Sequence, residues 1–315
     1  MTEKCAILKL SSQEWFETCC KMDDSAAVAP PTPPVVESGA APTEGGELTA
    51  EELAACVAVY RACLEAGLPA NMLSPQLVIM ATLTCKCRVD KTVEKLQSMH
   101  EKVFNVYEFD MSTDTVGFDA TPSTIASVWG ECDPFWSRYR VCGSDIDGRS
   151  VMWVAGGKTL KTEEKMLIHT SVLFFLAAHA DLTTLRGGIT FVIDTTKAPS
   201  EKVGNERKLQ ETWQAMPLRP QHFFIMGASW FKRLAINALL KIVSAFSNSK
   251  VVARIRFVDV DEVVEQLGLS SMPAEYGGDD RSATPTKDWV AQRLRDFPGA
   301  AQFAAVVADE SAAAK

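Results

Sequence analysis

No stretch of this chain stays apolar for the roughly 18 to 20 residues that a membrane-spanning helix needs. The greasiest long run, 167–180, is interrupted by His169, Ser171 and His179 and reads as a buried helix. No basic N-terminus followed by an apolar run is present, so no secretory signal is expected. Cysteine is not scarce, but the nine are an odd number without paired metal-ligand spacing. Cys85-Lys86-Cys87 is one residue too tight for the usual zinc knuckle, and no second pair follows, so no metal is expected. Reduced thiols in a cytoplasmic protein are the expectation. The net charge of −8 argues against nucleic acid as a partner, because phosphate binding needs positive faces.

The loops that bind nucleotides are missing as well. No Gly-x-Gly-x-x-Gly follows an expected strand. Gly157-Lys158 lacks the glycine of a phosphate loop, which would sit five residues before Gly157, where Met152 stands. Gly227-Ala228-Ser229-Trp230-Phe231 has no second glycine and so is no nucleophile elbow, and Ser229 reads as a helix cap. His179 and Asp181 have base-and-orienter spacing, but nothing nameable lies near them in sequence and a cap or surface role is expected. Neither an enzyme nor a cofactor is indicated.

What is present falls into four parts. Residues 1–47, rich in Ala, Pro, Gly and Ser after a short piece with Trp15 and Phe16, bury too little to order and are expected as a disordered tail. Residues 48–110 read as a helical subdomain. Thr49 caps a helix over 50–66, Ser74-Pro75 opens one over 74–85, and a third covers 90–106. Over 120–280 strands and helices alternate: a hairpin around Asp147-Gly148, a helix over 162–184, a strand at 188–194 and a helix over 200–215. A strand at 222–226, a helix over 230–246 and a strand at 251–258 follow. That order predicts an α/β fold with a mostly parallel sheet flanked by helices. Residues 281–315 are expected as a C-terminal tail with one short helix near 288–297 and an alanine-rich end.

The segment 230–246 stands out. Phe231, Leu234, Ala235, Ala238, Leu239, Ile242, Val243 and Phe246 share one helical stripe, and Ile236, Leu240 and Ala245 carry apolar character round the back. Such a helix either sits in a deep core or touches something greasy on both sides. From Thr212 to Val258 there is no acidic residue, against seven basic ones: Arg219, Lys232, Arg233, Lys241, Lys250, Arg254 and Arg256. A basic, greasy region on an acidic protein suits docking on an anionic bilayer, where each Lys or Arg is worth about 1 kcal/mol.

Together Met216-Pro217-Leu218-Arg219, the strand to Met226, the greasy helix, Arg254-Ile-Arg-Phe and the closing Met272-Pro-Ala-Glu-Tyr-Gly-Gly278 resemble the CRAL-TRIO lipid-binding domain family. Asp147-Gly148-Arg149 and Gly188-Ile-Thr-Phe-Val-Ile-Asp194 fit its earlier motifs. The resemblance implies a sheet-floored pocket closed by a mobile gate helix, residues 231–246, with Phe231, Leu234, Leu239, Ile242 and Phe246 on it. It implies a ligand-binding set of Trp153, Ile168, Ser171, Phe175, Ile189, Phe191, Met216, Leu218, Phe223 and Ile225. The ligand is then a hydrophobic small molecule or lipid, carried between membranes without chemistry. Leu218 stands where phosphatidylinositol-transfer members have a headgroup acid, which makes that lipid a poor candidate for the pocket. The motif is closer to the tocopherol and retinaldehyde carriers, which bind a phosphoinositide headgroup outside the pocket. The matching positions here are Arg219, Lys250 and Arg254, and Gln221 departs from a further basic position.

Two other readings stay open. One is a protein-interaction scaffold of the same fold with a vestigial pocket. The other is an α/β enzyme, for which no catalytic constellation is visible. The oligomeric state is not legible.

Overall fold

A computed structural model describes residues 46–109, 111, 120–129, 139–155, 163–196, 206–228, 254–278 and 287–313. The expected gate helix 231–246, Lys250 and most of the expected tail 1–47 lie outside them.

The helical region opens with α1 (Ala50–Glu65), capped as expected: the Thr49 side chain accepts from the Glu52 backbone while Glu52 reaches back to the Thr49 N–H. α2 (Pro75–Thr84) starts on Ser74, whose side chain accepts from the Leu77 N–H, and is buried throughout. α3 (Val89–Met99) runs on through a π-helical turn (His100–Phe104) and a short helical turn (Asn105–Tyr107). After α4 (Pro122–Trp129) come strands β1 (Tyr139–Ser144) and β2 (Ser150–Ala155), paired antiparallel. Their connection is held by Asp145. Its carboxylate accepts from the Asp147 and Arg149 backbone N–H groups, from Arg149 Nε at 2.8 Å and from the Thr190 hydroxyl at 2.8 Å.

The helix expected over 162–184 divides into α5 (Glu164–Ala178) and α6 (Leu182–Gly187). The break has a local cause. His179 Nδ1 bonds the Phe175 carbonyl at 2.8 Å, and Asp181 caps a fresh helix by accepting from the Thr184 N–H at 2.7 Å. Then follow β3 (Ile189–Asp194), α7 (Glu206–Ala215), β4 (Pro220–Met226) and β5 (Ile255–Val258). The sheet order is β1-β2-β3-β4-β5, with β2 to β5 parallel. α8 (Val260–Leu267), which the sequence reading did not anticipate, follows β5 behind an Asp259–Glu262 capping box.

The C-terminal expectation needs correction. Instead of a tail with one short helix, two helices form, α9 (Lys287–Arg295) and α10 (Ala300–Ala313). Val290, Ala291 and Leu294 of α9, Phe297 between the two helices, and Ala300 and Phe303 of α10 belong to the same buried cluster as α2 and α5. Alanine has the best helix propensity and lets helices approach closely, so the alanine-rich end folds rather than trailing away. Gln302 exchanges hydrogen bonds with the Leu48 backbone, and Gln76 Nε2 donates to the Leu294 carbonyl at 3.1 Å, joining the helical region to the C-terminal helices. No helix among the described residues is long and apolar enough to cross a membrane.

Candidate functional site

Side chains alternate faces along a strand, so register decides what each face of the sheet offers. Met152, Phe191, Phe223 and Ile255 form one cross-strand row, and Val154, Ile193, Ile225 and Phe257 form the next row on the same face. Between them, on the opposite face, run Trp153, Val192, Phe224 and Arg256. The two faces pack against different partners. Met152, Ile189, Phe191 and Met216 share a core with α5. Val151, Trp153, Val192, Phe224 and Met226 pack against α8, Met272 and Tyr276.

The second face is closed. Tyr276, from the closing motif, lies 5.5 Å from the Trp153 ring and donates its hydroxyl to Asp194 at the end of β3 at 2.6 Å. Burial and the Asp194 carboxylate push its phenol well above the ordinary range, so it stays a donor.

The first face is closed only in part. In the α5 stripe Ile168, Ser171 and Phe175 have no exposure, and Ile189 and Met216 are buried as deeply. Towards β4 and β5 the packing opens. Val154, Leu218, Trp213 and Phe223 are only half-buried, as are Ile193, Ile255 and Phe257 around the small cluster of Ile225 and Ala228. Phe191 and Phe223 stack at 5.0 Å with their planes 15° apart, so ring edges rather than faces line this floor. Half-exposed large apolar groups side by side on one sheet face mark where a packed core gives way to a surface fit for an apolar occupant.

Nine of the ten expected ligand-binding residues thus stand on this side: Ile168, Ser171, Phe175, Ile189, Phe191, Met216, Leu218, Phe223 and Ile225. Trp153 does not. The two-residue period turns it to the α8 side, away from Phe191 and Phe223. Of the gate residues, Phe231, Leu234, Leu239, Ile242 and Phe246 all fall outside the described residues. Trp213 was missed by the sequence reading. Its Nε1 donates to Ser171 Oγ at 2.8 Å, and its ring meets Phe175 edge-on at 5.1 Å.

Two of the three expected headgroup residues come together at the start of β4 and β5. Arg219 donates through Nη1 to the Arg186 carbonyl, and Arg254 Nη1 donates to the Pro220 carbonyl at 2.6 Å. Burial, and then the neighbouring Arg254 charge, pull the Arg219 pKa down, which places two like charges close together. Among the described residues neither arginine pairs with a carboxylate.

His179 and Asp181, which the sequence spaces as a base and its orienter, stand at the end of α5, where Asp181 meets Ser150. Ser150 Oγ donates to Asp181 at 2.9 Å, while His179 Nε2 has no partner, so serine, histidine and aspartate do not form a relay there. Burial pushes the Cys56 thiol up to about 12 and the Cys63 thiol to about 11, which keeps both protonated and unreactive.

No curated protein matches the chain. Residues 139–278, which span all five strands, helices α5 to α8 and the closing motif, match the family model of the CRAL/TRIO domain.

Proposed function

We propose that this chain encloses a hydrophobic small molecule or lipid against the open face of its sheet and exchanges it with membranes, with no bond made or broken. CRAL/TRIO domains are generally lipid-binding and lipid-transfer modules, which supports the coarser half of this reading. The observation that carries the finer half is the patch of half-buried apolar side chains over β3 to β5: Ile193, Phe223, Ile255 and Phe257. Burying an apolar tail gains about 0.8 kcal/mol per methylene, so a sixteen-carbon tail offers on the order of 13 kcal/mol. A bilayer offers much of the same, which leaves a small net preference and permits exchange.

Residues 231–246 are assigned here as the gate. Their two-sided apolarity suits a helix that caps the ligand when closed and enters the interface when open. Chain handedness supports the assignment. β2, β3, β4 and β5 advance in one direction across the sheet, and right-handed crossovers then run over one face, the face that α5 and α7 already cover. Arg219 and Arg254, with Lys250, are assigned to docking on an anionic membrane surface such as one bearing phosphoinositide. Leu218 at the pocket edge offers an apolar contact instead of an acid, which speaks against phosphatidylinositol as the enclosed ligand. The full burial of Ile168, Ser171 and Phe175 favours the second reading, a protein-binding scaffold whose pocket has filled.

The test is transfer of a fluorescent lipid between vesicles. The wild-type chain should accelerate transfer, and more so with anionic acceptors. Arg219→Glu with Arg254→Glu should lower vesicle binding by about tenfold or more, given about 1 kcal/mol per basic residue and the added repulsion. No acceleration by the wild type would exclude the carrier reading. Unchanged vesicle binding by the double variant would exclude the docking face.

A further inference from the structure

We propose that the turn joining β1 to β2 is the apolar anchor of the docking face: Ile146 at its tip enters the interface of an anionic bilayer while Arg219 and Arg254 meet the headgroups. This rests on the docking reading above. Ile146 is 66% exposed, the most exposed large apolar side chain among the described residues. One exposed isoleucine is ordinary on a protein surface; its position and its backbone are not. β2 to β5 are parallel and β1 runs antiparallel into β2, so the turn stands at the edge of the sheet where β2, β3, β4 and β5 all begin. Arg219 and Arg254 stand at that same edge, each just before the first residue of its strand. Neighbouring strands lie about 4.8 Å apart, so the starts of β2 and β5 are separated by about 14 Å. The path from turn to arginine is continuous. A Cβ on Gly187 would meet Arg149 Cδ at 3.0 Å, one on Gly188 would meet the Arg219 carbonyl oxygen at 2.4 Å, and Arg219 Nη1 donates to the Arg186 carbonyl.

The second observation is the backbone of the turn. A loop that enters a bilayer interface must bring few donors without a partner. Here every N–H from Asp145 to Arg149 is bonded within the protein. The Asp145 N–H donates to the Arg149 carbonyl at 2.8 Å, the Ile146 N–H to the Gln266 carbonyl at 3.4 Å, and the Gly148 N–H to the Asp145 carbonyl at 2.9 Å. The Asp147 and Arg149 N–H groups both donate to Asp145 Oδ1 at 3.0 Å. The exposed acid beside Ile146, Asp147, is paired with Arg149 Nη2 rather than bare. Gly148 takes the positive φ of +78° that the turn needs, so its shape is set before binding and little ordering is lost. An apolar tip beside two cations is the chemistry of an anionic bilayer surface: the apolar group takes the acyl boundary and the cations take the headgroups.

The experiment uses the full chain and phosphatidylcholine vesicles that contain phosphatidylserine. Vesicle sedimentation is measured for the wild type, Ile146→Ser and Ile146→Leu, and a chain carrying p-benzoylphenylalanine in place of Ile146 is photolysed on the same vesicles. Ile146→Ser should weaken vesicle binding by about three- to tenfold, and Ile146→Leu should bind as the wild type does. That ratio should hold as salt is raised, because the lost contact is apolar, while the contribution of Arg219 and Arg254 falls. Lipid cross-linked to position 146 is expected. Wild-type vesicle binding by Ile146→Ser, with no lipid cross-link, overturns the anchor and leaves the docking face standing if Arg219→Glu with Arg254→Glu loses binding. Cross-linking to a second copy of the chain in place of lipid overturns the anchor in favour of a protein contact. No vesicle binding by the wild type overturns both. Ile146 is exposed and its side chain makes none of the bonds that hold the turn, so these substitutions leave the fold in place.

Discussion

His179 is fully buried where α5 ends, bonded through Nδ1 to the Phe175 carbonyl, with the Asp181 carboxylate and the Arg293 guanidinium as its charged neighbours. Burial lowers its pKa from 6.5 to about 4, ahead of the opposing Phe175 bond and the Asp181 charge. The unfolded chain therefore binds the extra proton. The stability that the neutral ring contributes is full above pH 6.5 and is lost as pH falls towards 4. Between pH 7 and 5 the loss should be about 2 kcal/mol, and urea unfolding at the two pH values should show it. His179→Leu should flatten that dependence. If the wild type and the variant lose the same stability between pH 7 and 5, His179 is not the titrating group. Trp153 allows a second residue-scale test. Its buried Nε1 has no hydrogen-bond partner, and it packs on Tyr276 away from the open face. Trp153→Phe removes the orphan donor and leaves a modest void, so stability should change by less than about 2 kcal/mol while ligand capture stays the same. A loss of capture at unchanged stability would place Trp153 in the site after all. Strand alternation places single residues on one face or the other of the sheet. The set that joined Trp153 to Phe191 ignored it, because family position gives the strand but not which face the side chain takes. The placing of Trp213 carried no local signal, since its hydrogen-bond partner Ser171 lies 42 positions away.

Elements were more readable than their joints. Caps at Thr49 and Ser74, the hairpin and the alternation of strands and helices all have local causes, and the helices and parallel strands form where those causes lie. The break between α5 and α6 was not legible, because the apolar pattern runs through it and only the side-chain bonds of His179 and Asp181 mark it. Gly188, where α6 gives way to β3, is the joint most exposed to test. Its φ is +94°, and a Cβ there would stand 2.4 Å from the Arg219 carbonyl oxygen, the acceptor of the Ile189 N–H. Gly188→Ala should cost about 2 to 4 kcal/mol, from the strained backbone and the displaced start of β4 together. Thermal unfolding checks it, and a wild-type melting temperature would show that the joint relaxes freely.

At the scale of the whole molecule, the expected helical subdomain and the CRAL/TRIO region are less separate than their sequence boundaries suggest. One buried cluster runs from Leu48 through α2 and α5 to Phe303 on α10. Arg293 Nε donates to the Ala177 carbonyl at the end of α5, and Lys95 on α3 donates to the Gln214 carbonyl on α7. The back of α5 is thus packed on the C-terminal helices, while the front of the sheet is left to the half-buried side chains over β3 to β5. The central claim is that the front holds a hydrophobic molecule. Purifying the full chain from cells and analysing the intact protein and its organic extract by mass spectrometry tests it most directly. Near-stoichiometric recovery of one apolar small molecule or lipid, bound as a single copy, is the expected result. Recovery of a protein partner with no lipid, or of a nucleotide or metal in its place, would contradict it.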